Sequence, residues 1–174
     1  MEHKVVSKID CPGYWQSTND WDSHRPLLWL ACENTTGKIV EAGMGDGSTM
    51  LFESLGWKRT VLHYDNNKEW VDKFSDNVLS SFVVNDWFEY GLFGSKISLL
   101  FVDLAPGETR KDVIEKYKDE AKVILVHDSE PSANYVYGVA DVLSKFKYRL
   151  DYTPEGYPHT TAVSNFVDVT KWVE

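Results

Sequence analysis

The chain has 174 residues, of which 43% are hydrophobic and 26% charged, and 7 Trp, 9 Tyr and 8 Phe bring its aromatic share to 14%. That apolar load excludes a disordered segment, and the length suits one domain over 1–174. Against 27 acidic residues stand only 18 basic ones, a net charge of −9, which argues against a bulk electrostatic grip on nucleic-acid phosphates.

Two cysteines, Cys11 and Cys32, are too few for a disulfide framework and lack the spacing of a zinc or redox pair. The opening residues MEHKVVSKIDCPGYW contain no apolar signal core. No apolar run approaches the roughly 20 residues of a membrane span, so a cytoplasmic protein without membrane contact is the expectation.

In chain order, the segment up to about Asp22 shows no clear period. A helix is predicted over Arg25–Asn34, with Pro26 in its first turn and Asp22 or Ser23 as its cap. Short apolar runs at Lys38–Ala42, Thr60–Tyr64, Phe82–Asn85, Ile97–Asp103 and Lys122–His127 read as buried parallel strands. Between them, Thr49–Gly56, Asn67–Leu79, Trp87–Phe93 and Thr109–Lys118 suit helices. Such alternation implies an α/β fold with a parallel sheet covered on both faces. Beyond it, Tyr135–Phe146 suits a helix, and Tyr148–Thr153 and Thr160–Phe166 form an antiparallel strand pair around a turn at Pro154, Gly156 and Pro158.

The segment KIVEAGMGDGSTMLFESL runs from a strand through Gly43, Gly45 and Gly47 into a helix. Glycines there permit positive φ and close approach of a ligand, and the helix start offers unpaired N–H groups. A dinucleotide fingerprint would need a glycine at 48, where this chain has Ser48.

The pattern E-x-G-x-G-x-G from Glu41 resembles the first motif of class I S-adenosylmethionine (SAM)-dependent methyltransferases. The resemblance spans about Lys38 to Asp128 and lacks the family's usual Gly-Gly before the fifth strand. It implies a Rossmann-like, mostly parallel seven-stranded sheet with helices on both faces and an antiparallel C-terminal hairpin. On that reading the chain divides into an N-terminal segment and helix (1–37), a cofactor-binding core (38–128) and a C-terminal helix and hairpin (129–174). Glu41 and the loop through Gly43, Gly45, Gly47 and Ser48 would hold the methionine moiety of SAM. Asp65, in VLHYDNN beside Asn66, would hold the ribose, and Asp86 with Trp87, in VVNDWFEY, the adenine.

Asp103 in LLFVDLAP and His127 and Asp128 in VILVHDSE end two successive strands and are the candidates for acceptor chemistry. A histidine at a strand end can serve as a general base or as a structural hydrogen-bonder. Asp103 and Asp128 also suit a hard divalent cation, but no third ligand is identifiable and no metal is assigned. Arg110, Tyr135 and Tyr137 are candidates for a substrate mouth, and Trp15 and Trp21 for a lid. The expected function is SAM-dependent O-methylation of a small-molecule or sugar acceptor, with no bulk nucleic acid as partner. The alternative is a catalytically inactive SAM- or nucleotide-binding module.

Overall fold

The strand Ile97–Val102 (β5) is buried at all six positions, as a strand central to a sheet covered on both faces must be. In the computed structural model, which describes residues 1–55, 59–89 and 91–173, it lies in an eight-stranded sheet. The others are β1 (Glu2–Val6), β2 (Lys38–Ala42), β3 (Val61–Asp65), β4 (Ser81–Val83), β6 (Ala121–His127), β7 (Tyr148–Tyr152) and β8 (Thr160–Ser164), in spatial order β1-β7-β8-β6-β5-β2-β3-β4. Only β8 runs against its neighbours, between β6 and β7.

The fold is thus the α/β, Rossmann-like class that the alternation of elements predicts, with one strand more than expected. The addition is β1, which extends the edge by pairing in parallel with β7. Its burial pattern is exposed apart from two partly covered residues in five, so it carries little of the hydrophobic signal by which buried strands are read.

Period-2 alternation splits the core into two layers. Val40, Leu100, Val102, Ile124 and Val126 face the helices Arg110–Tyr117 (α4) and Val139–Leu143 (α6), through Val113, Ile114, Val142 and Leu143. Ile39, Leu99, Phe101, Val123 and Leu125 face the helix Arg25–Asn34 (α1) through Leu27, Leu28 and Ala31, and Phe52 of the helix Thr49–Ser54 (α2).

Several expected helices are shorter than their apolar patterns. The helix Lys68–Phe74 (α3) stops before Ser75-Asp76-Asn77, residues whose side chains compete for backbone hydrogen bonds. Tyr135–Phe146 is two pieces, Asn134–Tyr137 (α5) and α6, because Gly138 at φ 63° interrupts them in the left-handed region. The expected helix Trp87–Phe93 is replaced by turns around Gly91 at φ 71°, and its Tyr90 lies outside the described residues, as does Gly56 at the end of the expected Thr49–Gly56. The residue ahead of α1 is His24, not Asp22 or Ser23, and its ring makes no capping bond.

Among the described residues no helix is long and apolar enough to cross a membrane. The chain enters the middle of the sheet at β2, goes out through β3 and β4, then crosses to β5 and β6 on the other side. The gap between the ends of β2 and β5 is the switch point at which open α/β sheets take ligands.

Candidate active site

The glycine loop leaves β2 and is folded back by contact with β5. At φ 97°, Gly43 has no room for a side chain: a Cβ there would lie 2.4 Å from the Asp103 carbonyl oxygen. Gly45 has ordinary φ, and a Cβ there would meet nothing within 4 Å, so this position faces open space. Gly47 is covered by the N-terminal segment, where a Cβ would lie 2.5 Å from the Trp21 carbonyl oxygen.

Below the loop, Glu41 is fully buried and bound entirely to protein groups. It accepts hydrogen bonds from the Ser48 hydroxyl and from Thr49 Oγ1 at 3.0 Å, and it meets His63 Nδ1 at 2.5 Å. The other ring nitrogen of His63 faces Glu53 at 2.9 Å. Burial raises the Glu41 pKa from its ordinary value, and the two carboxylates raise that of His63 despite its burial. Glu41 and Ser48 therefore pin the start of α2 to β3, and both side chains are buried. The sequence pattern places Glu41 correctly at the loop but does not reveal His63 as its partner.

At the end of β3, Asp65 is 6% exposed and accepts hydrogen bonds from Met44 N and Asn67 N, both at 2.7 Å. Burial raises its pKa against those two bonds. Asp65 thus braces the glycine loop against the start of α3, and Asn66 beside it is exposed.

The expected adenine surface is different. Trp87 is 5% exposed, lies edge-on to Phe93 and donates Nε1–H to the Ala105 carbonyl at 3.0 Å. It is a core residue, and the exposed ring beside Asp86 is Phe88. Asp86 is exposed and accepts from Phe88 N at 2.8 Å.

The ends of β5 and β6 bring Asp103, His127 and Asp128 together, as parallel neighbours must. Asp103 Oδ2 lies 3.2 Å from His127 Nδ1, and Arg110 donates to Asp103 Oδ1 at 2.8 Å. Arg110 also binds Asp128 at 3.2 Å and the Leu104 and His127 carbonyls at 3.0 Å, with its guanidinium 4.3 Å from the Tyr137 ring. It is a buried clamp across two strand ends and does not line a mouth; Tyr135 is 89% exposed. Burial alone would raise the Asp103 pKa, but His127 and Arg110 outweigh it and hold it at about 2. Asp103 in turn raises His127 against the effect of burial.

The N-terminal segment supplies what the motif reading leaves out. Asp22 accepts from Thr18 N and Oγ1, both at 2.6 Å, and from Asn19 N at 3.0 Å, and it pairs with Arg25 at 2.9 Å. Arg25 donates to the Gly47 carbonyl at 2.9 Å. This braced segment sets Ser23 Oγ 2.9 Å from His127 Nε2 and lays His24 edge-on to His127. Trp15 is packed in the core and Trp21 is 84% exposed. Spacing gives no hint of this convergence, because 104 residues separate Ser23 from His127.

No protein-family profile matches the chain, and no curated protein matches its sequence. Among solved structures it is similar to an rRNA methylase from Streptococcus thermophilus, at 18% identity and a TM-score of 0.57, covering 87% of this chain and 100% of that one. The two chains share an α/β, Rossmann-like methyltransferase fold. The likeness also corrects the expectation of a small-molecule or sugar acceptor with no bulk nucleic acid as partner. A net charge describes the whole chain, whereas nucleic-acid contact is made by a local surface, so acidity is no ground for that exclusion.

Proposed function

We propose that the protein is a SAM-dependent methyltransferase. The observation that carries this reading is the open face at Gly45, set at the switch point between β2 and β5 and flanked by the strand-end carboxylates Asp65 and Asp103. A cradle that a Cβ would fill, beside acceptors for hydroxyl groups, fits an adenosyl amino acid. When bound, SAM supplies a methyl group on a cationic sulfur.

The chain's own residues divide the work. The backbone of the loop through Gly43, Gly45 and Gly47 receives the amino-acid end, with Glu41 and Ser48 supporting it from beneath. Asp65 retains lone pairs for ribose hydroxyls beyond the two backbone bonds it accepts, and Asn66 lies beside it. Asp86 and the exposed Phe88 border the adenine end. Asp103, His127 and Asp128 face the acceptor. There His127 is the general base, with Asp103 beside Nδ1 orienting the ring and stabilising its charged form. Alignment of the acceptor behind the methyl group supplies much of the rate in such a displacement.

Calorimetric titration with SAM and its demethylated product tests the cofactor assignment, with NAD as the control; preference for NAD would overturn it. Radiolabelled methyl transfer to structured RNA is the first acceptor assay, since the structural neighbour is an rRNA methylase. SAM binding without transfer to any acceptor would favour the inactive module.

A further inference from the structure

His24 is a buried polar ring without a well-formed hydrogen bond, although the Gly47 backbone lies near it. It is 1% exposed, and among the described residues neither Nδ1 nor Nε2 has a hydrogen-bond partner. An imidazole that needs no polar partner is replaceable by an apolar ring, so a buried histidine left unpaired calls for a physical account. Its surroundings offer one. A ligand atom of His24, one of Asp103 and one of His127 all lie within 4.8 Å of one another.

We propose that His24, Asp103 and His127 form a binding site for a divalent transition-metal ion such as Zn2+ or Co2+. Two imidazoles and one carboxylate are a borderline donor set, which favours these ions over Mg2+ or Ca2+, whose preferred ligands are all oxygen. Metal–ligand bonds of about 2.1 Å put tetrahedral ligand atoms roughly 3.4 Å apart. The Asp103–His127 separation of 3.2 Å is already close to that, and the His24 ligand atom lies within 4.8 Å of both.

The neighbouring groups suit the ion as well. Arg110 occupies Asp103 Oδ1 and leaves Oδ2 directed at His127 Nδ1. When an ion takes the place of the proton at His127 Nδ1, Ser23 Oγ, 2.9 Å from Nε2, can accept Nε2–H and hold the ring in that tautomer. His24 is kept neutral by burial, so its lone pairs are also available. Asp103 and Asp128 against Arg110 leave an excess negative charge for a cation. The segment that carries His24 is held in place by Asp22 and by Arg25 on the glycine loop, so the ligand is delivered by a fixed element. Proton and ion compete for His127 Nδ1: in the ion-bound form this atom is a ligand and does not act as a base.

The test uses the whole chain, without affinity tag, stripped by chelator and titrated with Co2+ and then Zn2+ in the absence of SAM. The expected result is one Co2+ per chain with visible ligand-field absorption, displaced by Zn2+ and not by Mg2+. His24→Ala or Asp103→Asn should weaken binding by roughly 100-fold or more. Ser23→Ala removes no ligand, leaves the fold intact and should weaken it by about 10-fold. Circular dichroism of each variant checks folding. No stoichiometric binding, binding untouched by His24→Ala, or equal competition by Mg2+ would each overturn the site. None of these readouts involves methyl transfer, so the metal site and the methyltransferase reading fail separately.

Discussion

Gly47 and His24 are in a contact that leaves no space for a methyl group: a Cβ on Gly47 would lie 2.9 Å from His24 Cε1 and 2.5 Å from the Trp21 carbonyl oxygen. Gly47 is therefore a glycine because the N-terminal segment lies on it. Gly45, two residues earlier, has free space above it. Gly47→Ala must displace backbone, at a cost of about 1–3 kcal/mol, the scale of overpacking. Gly45→Ala should change stability by less than about 1 kcal/mol, since it meets nothing. Urea denaturation separates the two. SAM titration completes the contrast, because Gly45→Val should fold normally and lose cofactor affinity.

The parts of the molecule written in local sequence were readable. Short Val/Ile/Leu runs ended by acidic residues gave β2, β3, β5 and β6 nearly residue by residue, and Gly43-x-Gly45-x-Gly47 marked the loop. What was hidden depends on partners far along the chain. Trp87 beside Asp86 looks like a stacking platform until Phe93 and the Ala105 carbonyl are known to enclose it. Glu41 looks like a ligand contact until His63, Ser48 and Thr49 are found on its oxygens. The pairing of His24 and Ser23 with His127 has no local signal, and only tertiary structure reveals it.

Asp65 does two jobs in this reading, and its removal should show both. Asp65→Ala leaves the Met44 and Asn67 amides without their acceptor. At about 1–3 kcal/mol for each orphaned donor, stability should fall by roughly 2–4 kcal/mol after partial rehydration. SAM affinity should fall in the same variant, measured at a temperature where it remains folded. A stable Asp65→Ala with unchanged affinity would remove the residue from both roles.

The pH dependence of stability follows from His24, Asp103 and His127. His24 drops from 6.5 to about 3 on folding, first through burial and then through the nearby His127. The unfolded chain therefore takes up this proton first, and stability present above pH 6.5 is lost as pH falls toward 3, by up to roughly 5 kcal/mol. Asp103, at about 2, adds a further loss between the ordinary carboxylate pKa of 3.8 and 2. His127 has the opposite sign: its raised pKa stabilises below 6.5, and that contribution disappears as pH rises through the folded value. His24→Phe should flatten the acid limb between pH 6.5 and 3 and leave the alkaline limb in place. Urea midpoints measured across pH 4–9 check this, and an acid limb unchanged in His24→Phe would assign acid unfolding to other groups.

Asp128 and His127 separate chemistry from cofactor binding. Asp128 sits at φ 53°, in the left-handed region where Asn is among the better-tolerated residues, so Asp128→Asn preserves the backbone while removing the charge that Arg110 holds. His127→Gln keeps a polar group near Ser23 but cannot take a proton. If the pair serves the acceptor, both variants should keep SAM affinity within about 1 kcal/mol of wild type, while turnover falls by roughly 10²-fold or more, the scale of lost acid–base assistance. The measurement is paired, cofactor titration and methyl-transfer rate on the same preparations. Charge removal at Asp128 also leaves Arg110 Nη1 only the His127 carbonyl, at the end of β6. A fall in turnover without a fall in melting temperature therefore points to chemistry, whereas a joint loss of SAM binding and folding would mark His127 and Asp128 as a structural strand end gathered by Arg110.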